Sequence, residues 1–213
     1  MEDLKDPTRK DKGEGEMFLS SFTPIFPIPY GVLLPKKINN LLITSCASST
    51  HVARGALRME PVRMSLGETS GIAAMLSIKQ SKILKDLDIA DIQDMILNAG
   101  GYLVSFEDVT PSTYAFAAIQ HLGALGVFTD KAFRPSNQIT YTEAMNAIYK
   151  IQELAGITPT EKESNTEDVI NARDFIASVE KQLGLEGQLS WTSDEQPENL
   201  TRSEAAEILY TAY

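Results

Sequence analysis

The sequence predicts a mainly α-helical chain with one short β segment near its amino end. Three observations carry that expectation. A compact apolar run suited to a strand buried on both faces occurs at Asn40-Leu41-Leu42-Ile43-Thr44. Further along, apolar residues return at helical intervals, as at Ile89, Ile92, Met95 and Ile96. Late in the chain a Thr-x-x-Glu helix start occurs twice, at Thr140–Glu143 and Thr201–Glu204.

The 213 residues, 43% of them apolar, suffice for one or two domains with a real core. No apolar run approaches the ~20 residues that a membrane-crossing helix requires. Residues 1–80 hold ten Lys/Arg against eight Asp/Glu, and residues 81–213 hold nine against twenty-one, which gives the overall −10. A second part this acidic repels phosphate backbones, so nucleic acid is not expected as a partner. The shift near residue 80 also marks a module boundary. Cys46 is the single cysteine, so no intrachain disulfide is possible; it is expected to be a small buried apolar group, with a reactive loop thiol as the other reading. His51 and His121 lie far apart, without the clustered spacing of a structural metal site, so no metal is expected.

Taken in order, residues 1–16 are a charged, solvated tail with no apolar segment, hence not a secretory signal. An exported or cell-surface parent would carry that signal upstream. Phe18 to Tyr30 is aromatic and punctuated by Pro24, Pro27 and Pro29, each of which removes a donor and favours extended geometry before it. The strand at Asn40–Thr44 follows, then a small polar loop from Ser45 to Thr50. A helix is expected to start near Pro61, a residue well tolerated in a first turn. Gly67, Ser70, Gly71, Ala73 and Ala74 keep that helix thin, although each helical glycine costs roughly 1 kcal/mol relative to alanine. Two glycines four residues apart imply that something packs closely there. Ile89 to Leu97 reads as an amphipathic helix, capped by Asp88 and stopped by Gly100-Gly101.

The remainder reads as two related units. The first runs FEDV (106–109), Tyr114, AAIQHLGALGV (117–127), FRP (133–135) and ITYTEAMNAIYKI (139–151). The second runs TEDV (166–169), Phe175, IASVEKQLGL (176–185) and LTRSEAAEILYTAY (200–213). Asp108 and Asp168 are 60 apart, and Thr140 and Thr201 are 61 apart, so both capping boxes recur at matching offsets. Two helix–loop–helix units joined by a polar linker around Thr158–Asn165 are expected. The chain thus divides into a tail and lead-in (1–28), a strand–helix unit (29–104) and a helical repeat unit (105–213).

PYGVLLPKK (29–37), NLLI (40–43), SSTHVARGALRMEPVRM (48–64) and LGETSGIAAML (66–76) together resemble the carboxy-terminal signature of FAD-dependent oxidoreductases within the glutathione-reductase-like flavoproteins. KILKDLDIADIQDMILNAGGYL is similar to the tail helix that follows this signature. Thr44-Ser45-Cys46 stands where the family usually has a glycine-arginine pair. The resemblance implies an incomplete flavoprotein strand–helix unit, FAD as cofactor in the parent protein, and a small-molecule substrate oxidised by hydride transfer to the flavin.

A reduced flavin is negative near N1 and O2, and a helix amino terminus offers unpaired N–H groups and about half a positive charge. By this logic and by resemblance, Val62, Arg63, Met64 and Ser65 face the pyrimidine ring, with Gly67 keeping the helix slim. His51 can exchange protons beside the flavin, or be a loop histidine bonded to backbone. Arg58 can bind a substrate carboxylate or the flavin, or pair with Glu60. The phosphate cradle is missing: no Gly-x-Gly-x-x-Gly turn occurs, and Gly13 and Gly15 lie in a charged tail. The chain alone is therefore expected to bind FAD weakly or not at all, and to be inactive without a dinucleotide-binding portion encoded upstream.

The two helical units resemble S-layer-homology modules, with Tyr141 in place of the usual arginine in the first unit and no clean FRP in the second. That resemblance implies a cell-wall glycan as an alternative partner. A structural helical appendage, with its acidic residues forming a solvated face, is the other reading of the same residues.

Overall fold

The computed structural model describes residues 27–158, 168–189 and 199–213. The charged tail, most of the proline-rich lead-in and residues 159–167 of the linker lie outside them. Among the described residues there are seven α-helices: α1 (His51–Leu57), α2 (Glu60–Gln80), α3 (Ile89–Asn98), α4 (Phe116–Ala124), α5 (Tyr141–Leu154), α6 (Ala172–Leu183) and α7 (Arg202–Ala212). The mainly helical class is as expected.

The amino-terminal strand does not form. Residues 41–43 are irregular, and Leu41 is exposed. Ile43 N–H donates to Leu33 O at 2.9 Å and Ser48 N–H to Val32 O at 3.0 Å, which folds a loop back on the short 3-10 turn Tyr30–Leu33. A strand exists only as part of a ladder, and among the described residues no segment lies alongside this one to make it. Cys46, expected to be buried, is exposed in the same loop. The polar loop ends at Thr50 as expected, but a helix not expected before Pro61 follows it directly, because Thr50 Oγ1 accepts from Ala53 N–H and opens α1.

α2 begins with Pro61 in its first turn, as expected, and ends at Ser81 in the left-handed region (φ 54°). Ala73 and Leu76 of α2 form a small core with Leu84, Leu87 and Ile92. Gln80 Nε2 donates to Asp91 at 2.7 Å and Tyr30 Oη to Leu84 O at 3.1 Å, closing its edges. Asp88 caps α3 through Ala90 N–H, and Gly100 (φ 85°) follows its carboxy end, where Gly101 N–H reaches Ile96 O.

The larger core holds α4 to α7 together. Both capping boxes form, with Thr140 and Thr201 each accepting from the N–H three residues on, while Glu143 and Glu204 reach back. A third helix start with half of that design stands between them: Asn171 Oδ1 accepts from Asp174 N–H and opens α6, while Asp174 accepts from the Asn171 side-chain amide. The residues just before the three caps meet in a closed ring of backbone hydrogen bonds. Ile139 N–H donates to Leu200 O (2.9 Å), Leu200 N–H to Ile170 O (3.2 Å) and Ile170 N–H to Ile139 O (3.3 Å). All three side chains are buried, each worth about 1.5–3 kcal/mol of apolar transfer.

One histidine links the two cores. His121 of α4 is 4% exposed and stacks on Tyr210 of α7 at 4.9 Å. Its Nδ1 lies 3.0 Å from Gln93 Oε1 and its Nε2 2.9 Å from Asp94 Oδ1, both on α3. Gln120 adds a second tie, its Oε1 accepting from the N–H groups of Leu103 (2.7 Å) and Val104 (2.9 Å).

Candidate functional site

α2 has two apolar faces. Leu66, Ala73 and Leu76 lie on the face that is buried. Met64, Gly67, Gly71, Met75 and Ile78 recur at three- and four-residue intervals and share the opposite face. That second face is open: Met64 is 71% and Ile78 82% exposed, and an added Cβ at Gly67 or Gly71 would meet nothing within 4 Å. Hydroxyls along the helix do not change its character. Ser65, Thr69 and Ser70 each donate to the carbonyl four residues back, at 3.2, 2.9 and 2.7 Å.

The residues expected at the flavin cluster at the amino end of this helix. Val62 is half-buried, while Arg63, Met64, Ser65 and Gly67 are exposed. No side chain caps the terminus, and Met59, the residue before it, has extended geometry (ψ 139°). Arg58 is the exposed carboxy cap of α1, its N–H bonded to Arg54 O at 3.0 Å. Among the described residues, Glu60 does not pair with it. His51 is the first residue of α1, two turns before Arg58, and its side chain lies outside the described part.

A second candidate region was not foreseen as a site. A cleft of about 430 Å³ is lined by Asp108, Tyr114, Pro135, Thr201, Ser203 and Glu204, among others. Asp108 holds one wall: its Oδ1 accepts from Phe133 N–H (2.7 Å) and its Oδ2 from Arg134 N–H (2.6 Å). Arg134 adopts φ 55°, which turns two successive amides toward one carboxylate. The opposite wall is the capping turn of α7, tied across by Ser203 N–H to Pro135 O at 3.2 Å. Ser203 is 4% exposed and its Oγ has no partner, although a buried hydroxyl normally finds one. Tyr114 presents a largely exposed ring whose hydroxyl pKa is raised, by burial first and then by Glu207 and Glu204. Its walls come from segments some ninety residues apart, so no local motif announces it; the repeat-position residues Asp108, Tyr114 and Thr201 were the available signal.

Among the described residues no group of three His, Cys, Asp or Glu side chains could hold a metal ion. No helix among them is long and apolar enough to cross a membrane.

The described residues thus form a helical protein whose longest helix presents an open apolar face beside an amino terminus without a side-chain cap. Residues 2–96 match the model of the FAD dependent oxidoreductase family. That stretch takes in α1, α2 and most of α3, and ends before the larger helical core begins. No curated protein and no solved structure matches the chain.

The residues present fit FAD in part. The α2 amino terminus carries no side-chain cap, which suits the electron-rich edge of the ring. Against that, Pro61 has no N–H, Arg63 N–H is already bonded to Met59 O, and Glu60 adds a carboxylate there. The bare backbone at Gly67 and Gly71 admits a close neighbour. Nothing in the sequence fits the pyrophosphate, for want of the glycine-rich turn.

Proposed function

We propose that residues 29–104 are the carboxy-terminal part of an FAD-dependent oxidoreductase of the glutathione-reductase-like kind, working with a dinucleotide-binding portion supplied by other residues. The observation that carries this reading is the open second face of α2, inside the stretch that matches the family. A helix apolar on two opposite sides is built to lie between two bodies, and the chain provides one of them. FAD, when bound, supplies the hydride acceptor. The chain's own contribution is positive potential from Val62 to Ser65 at the helix terminus, a full charge from Arg63, and a narrow wall at Gly67. His51 and Arg58 are the proton-exchanging and substrate-anchoring candidates. Alone, the chain does not retain FAD and does not turn over. The test is to express it with the coding sequence immediately upstream and count flavin per purified chain. One flavin per extended chain, and none on residues 1–213 alone, is expected; a colourless extended protein contradicts the proposal.

A second reading concerns residues 105–213, taken as S-layer-homology-like units that attach the protein to a wall glycan. The cleft between Asp108, Tyr114 and the α7 capping turn favours it: hydroxyls, carboxylates and one exposed ring are the groups that hold a sugar. Retention on purified wall material that vanishes with Tyr114→Ala supports this reading, and indifference to wall material removes it.

A further inference from the structure

We infer that a proton on His121 clamps α3 onto α4 and α7, making the junction between the family-matched residues and the larger helical core sensitive to pH. The inference stands apart from the flavin and glycan readings. Both ring nitrogens face oxygen: Nε2 lies 2.9 Å from Asp94 Oδ1 and Nδ1 lies 3.0 Å from Gln93 Oε1. A carboxylate oxygen and a carboxamide oxygen accept and do not donate, so each nitrogen must supply a hydrogen. Neutral imidazole has one N–H, and only the imidazolium has two. Loss of the proton therefore sets a nitrogen lone pair against an oxygen, in a site where the histidine is 4% exposed.

The surroundings suit the cation. Asp94 supplies the counter-charge from a side chain that is 53% exposed, against 5% for the histidine, so only one member of the pair is desolvated. On α7, Tyr210 stacks on the ring with centres 4.9 Å apart and planes 16° apart, which turns the electron-rich face of the phenol to the imidazolium. The pKa of the Tyr210 hydroxyl is raised, by burial first and then by Asp94, so the same carboxylate is felt at both rings. The other charged groups of these helices are engaged elsewhere. Asp91 of α3 holds Gln80, Arg202 of α7 holds Glu143, Glu204 closes its capping box, and Glu207 acts on Tyr114. α4 has no other charged side chain. The second tie across the junction does not titrate: Gln120 Oε1 accepts from Leu103 and Val104 N–H whatever the pH. Release of His121 thus frees α3, with the small core it belongs to, to move about Gly100 (φ 85°) while Leu103 and Val104 stay in place. The docked form holds a proton that the undocked form sheds, so docking is complete at low pH and weakens as pH rises between about 5 and 8.

The test uses the full chain with isotope-labelled histidine nitrogens. Long-range proton–nitrogen spectra read the protonation of each ring nitrogen, and His121→Gln identifies which of the two histidines is which. At a pH of about 7, both nitrogens of His121 are expected to carry a proton, and in Asp94→Asn one of them should lose it. Hydrogen exchange, corrected for the intrinsic effect of pH, follows α3 in parallel. Its protection relative to α5 is expected to fall about tenfold to a hundredfold as pH rises from about 5.5 to 8.5, and to stay nearly level in Asp94→Asn. That variant keeps a bonding group of the same shape on a half-exposed side chain, so it also identifies the ring should His121→Gln fail to fold. A neutral His121 at a pH of about 7, its Nδ1 accepting from a turned Gln93 amide, overturns the inference. Protection of α3 that ignores pH overturns it equally.

Discussion

Arg202 and Glu143, 59 residues apart in sequence, join two helix starts: the guanidinium Nη1 donates to the Oε1 of a glutamate whose Oε2 already accepts from Thr140 N–H. One carboxylate thus completes its own capping box and neutralises a buried cation from the other. The first unit has Tyr141 where the second has Arg202, so only one of the two helix starts supplies a cation, and the contact has no counterpart running the other way.

Arg202→Met should cost about 2–4 kcal/mol, because it orphans the glutamate and removes a cation from beside two rings. Arg202→Lys should recover only part, since a point charge does not reproduce the planar fork. Glu143→Gln preserves the capping box and leaves the arginine buried without counter-charge, so it isolates the ion pair from the cap. Urea unfolding of the three variants measures this. A Glu143→Gln protein as stable as the parent would show that the pair contributes nothing.

Asp108 and Arg134 form a matched device. Replacing Asp108 by alanine frees the amides of Phe133 and Arg134, at about 1–3 kcal/mol for charge-assisted bonds. Arg134→Gly relieves the left-handed backbone at φ 55° and should be neutral or stabilising by up to about 1 kcal/mol. Thermal denaturation should therefore shift down for Asp108→Ala and stay level or shift up for Arg134→Gly.

Gly123 and the two glycines of α2 sit in opposite surroundings. At Gly123 an added Cβ would stand 2.9 Å from Phe106 Cζ and 3.0 Å from its Cε2, so Gly123→Ala should cost about 1–3 kcal/mol through overpacking. At Gly67 and Gly71 the space is empty, so alanine should stabilise the chain alone by up to about 1 kcal/mol each. Melting temperatures of the three single variants decide the matter. A neutral Gly123→Ala, or a damaging Gly71→Ala in the isolated chain, would contradict these packing assignments.

Tyr114 supplies a pH test. Its folded pKa is raised, by burial and then by Glu207 and Glu204, so the folded state holds its phenolic proton longer than the unfolded one. The associated stability is complete below the ordinary tyrosine pKa of about 10 and declines as pH rises through the higher folded value. Glu207→Gln should lower the ionisation midpoint of Tyr114, read by ultraviolet difference spectra against a Tyr114→Phe control. An unchanged midpoint would remove Glu207 from the cleft's field.

What was legible in the sequence was local. The capping boxes at Thr140 and Thr201, the Asp88 cap and the Gly100 stop each lie within a few residues of their partners, and all form. The third helix start carries no Thr-x-x-Glu pattern, because Asn171 caps it and Asp174 bonds the Asn171 side chain instead of its backbone N–H. α1 escaped because Gly55 sits mid-helix and its seven residues carry no clear apolar period. The run at Asn40–Thr44 misled in the other direction: apolar character is written in the residues, whereas a ladder needs a neighbour. The cleft was invisible for a similar reason, since Asp108 and Ser203 meet only after the three buried residues Ile139, Ile170 and Leu200 have brought their segments together. The close neighbour expected at Gly67 and Gly71 is not among the described residues, and the openness of the face they share is a property of the folded surface.

The central claim is that the outer face of α2 closes a flavin site whose phosphate grip lies on other residues. The most direct measurement is flavin stoichiometry in the upstream-extended protein, wild type against Gly71→Leu. The account predicts one flavin per wild-type chain and a large loss in the variant, whose bulk would fall on the open stripe without disturbing the packed side. A wild-type protein that purifies without flavin, or a variant that keeps all of it, would contradict the account.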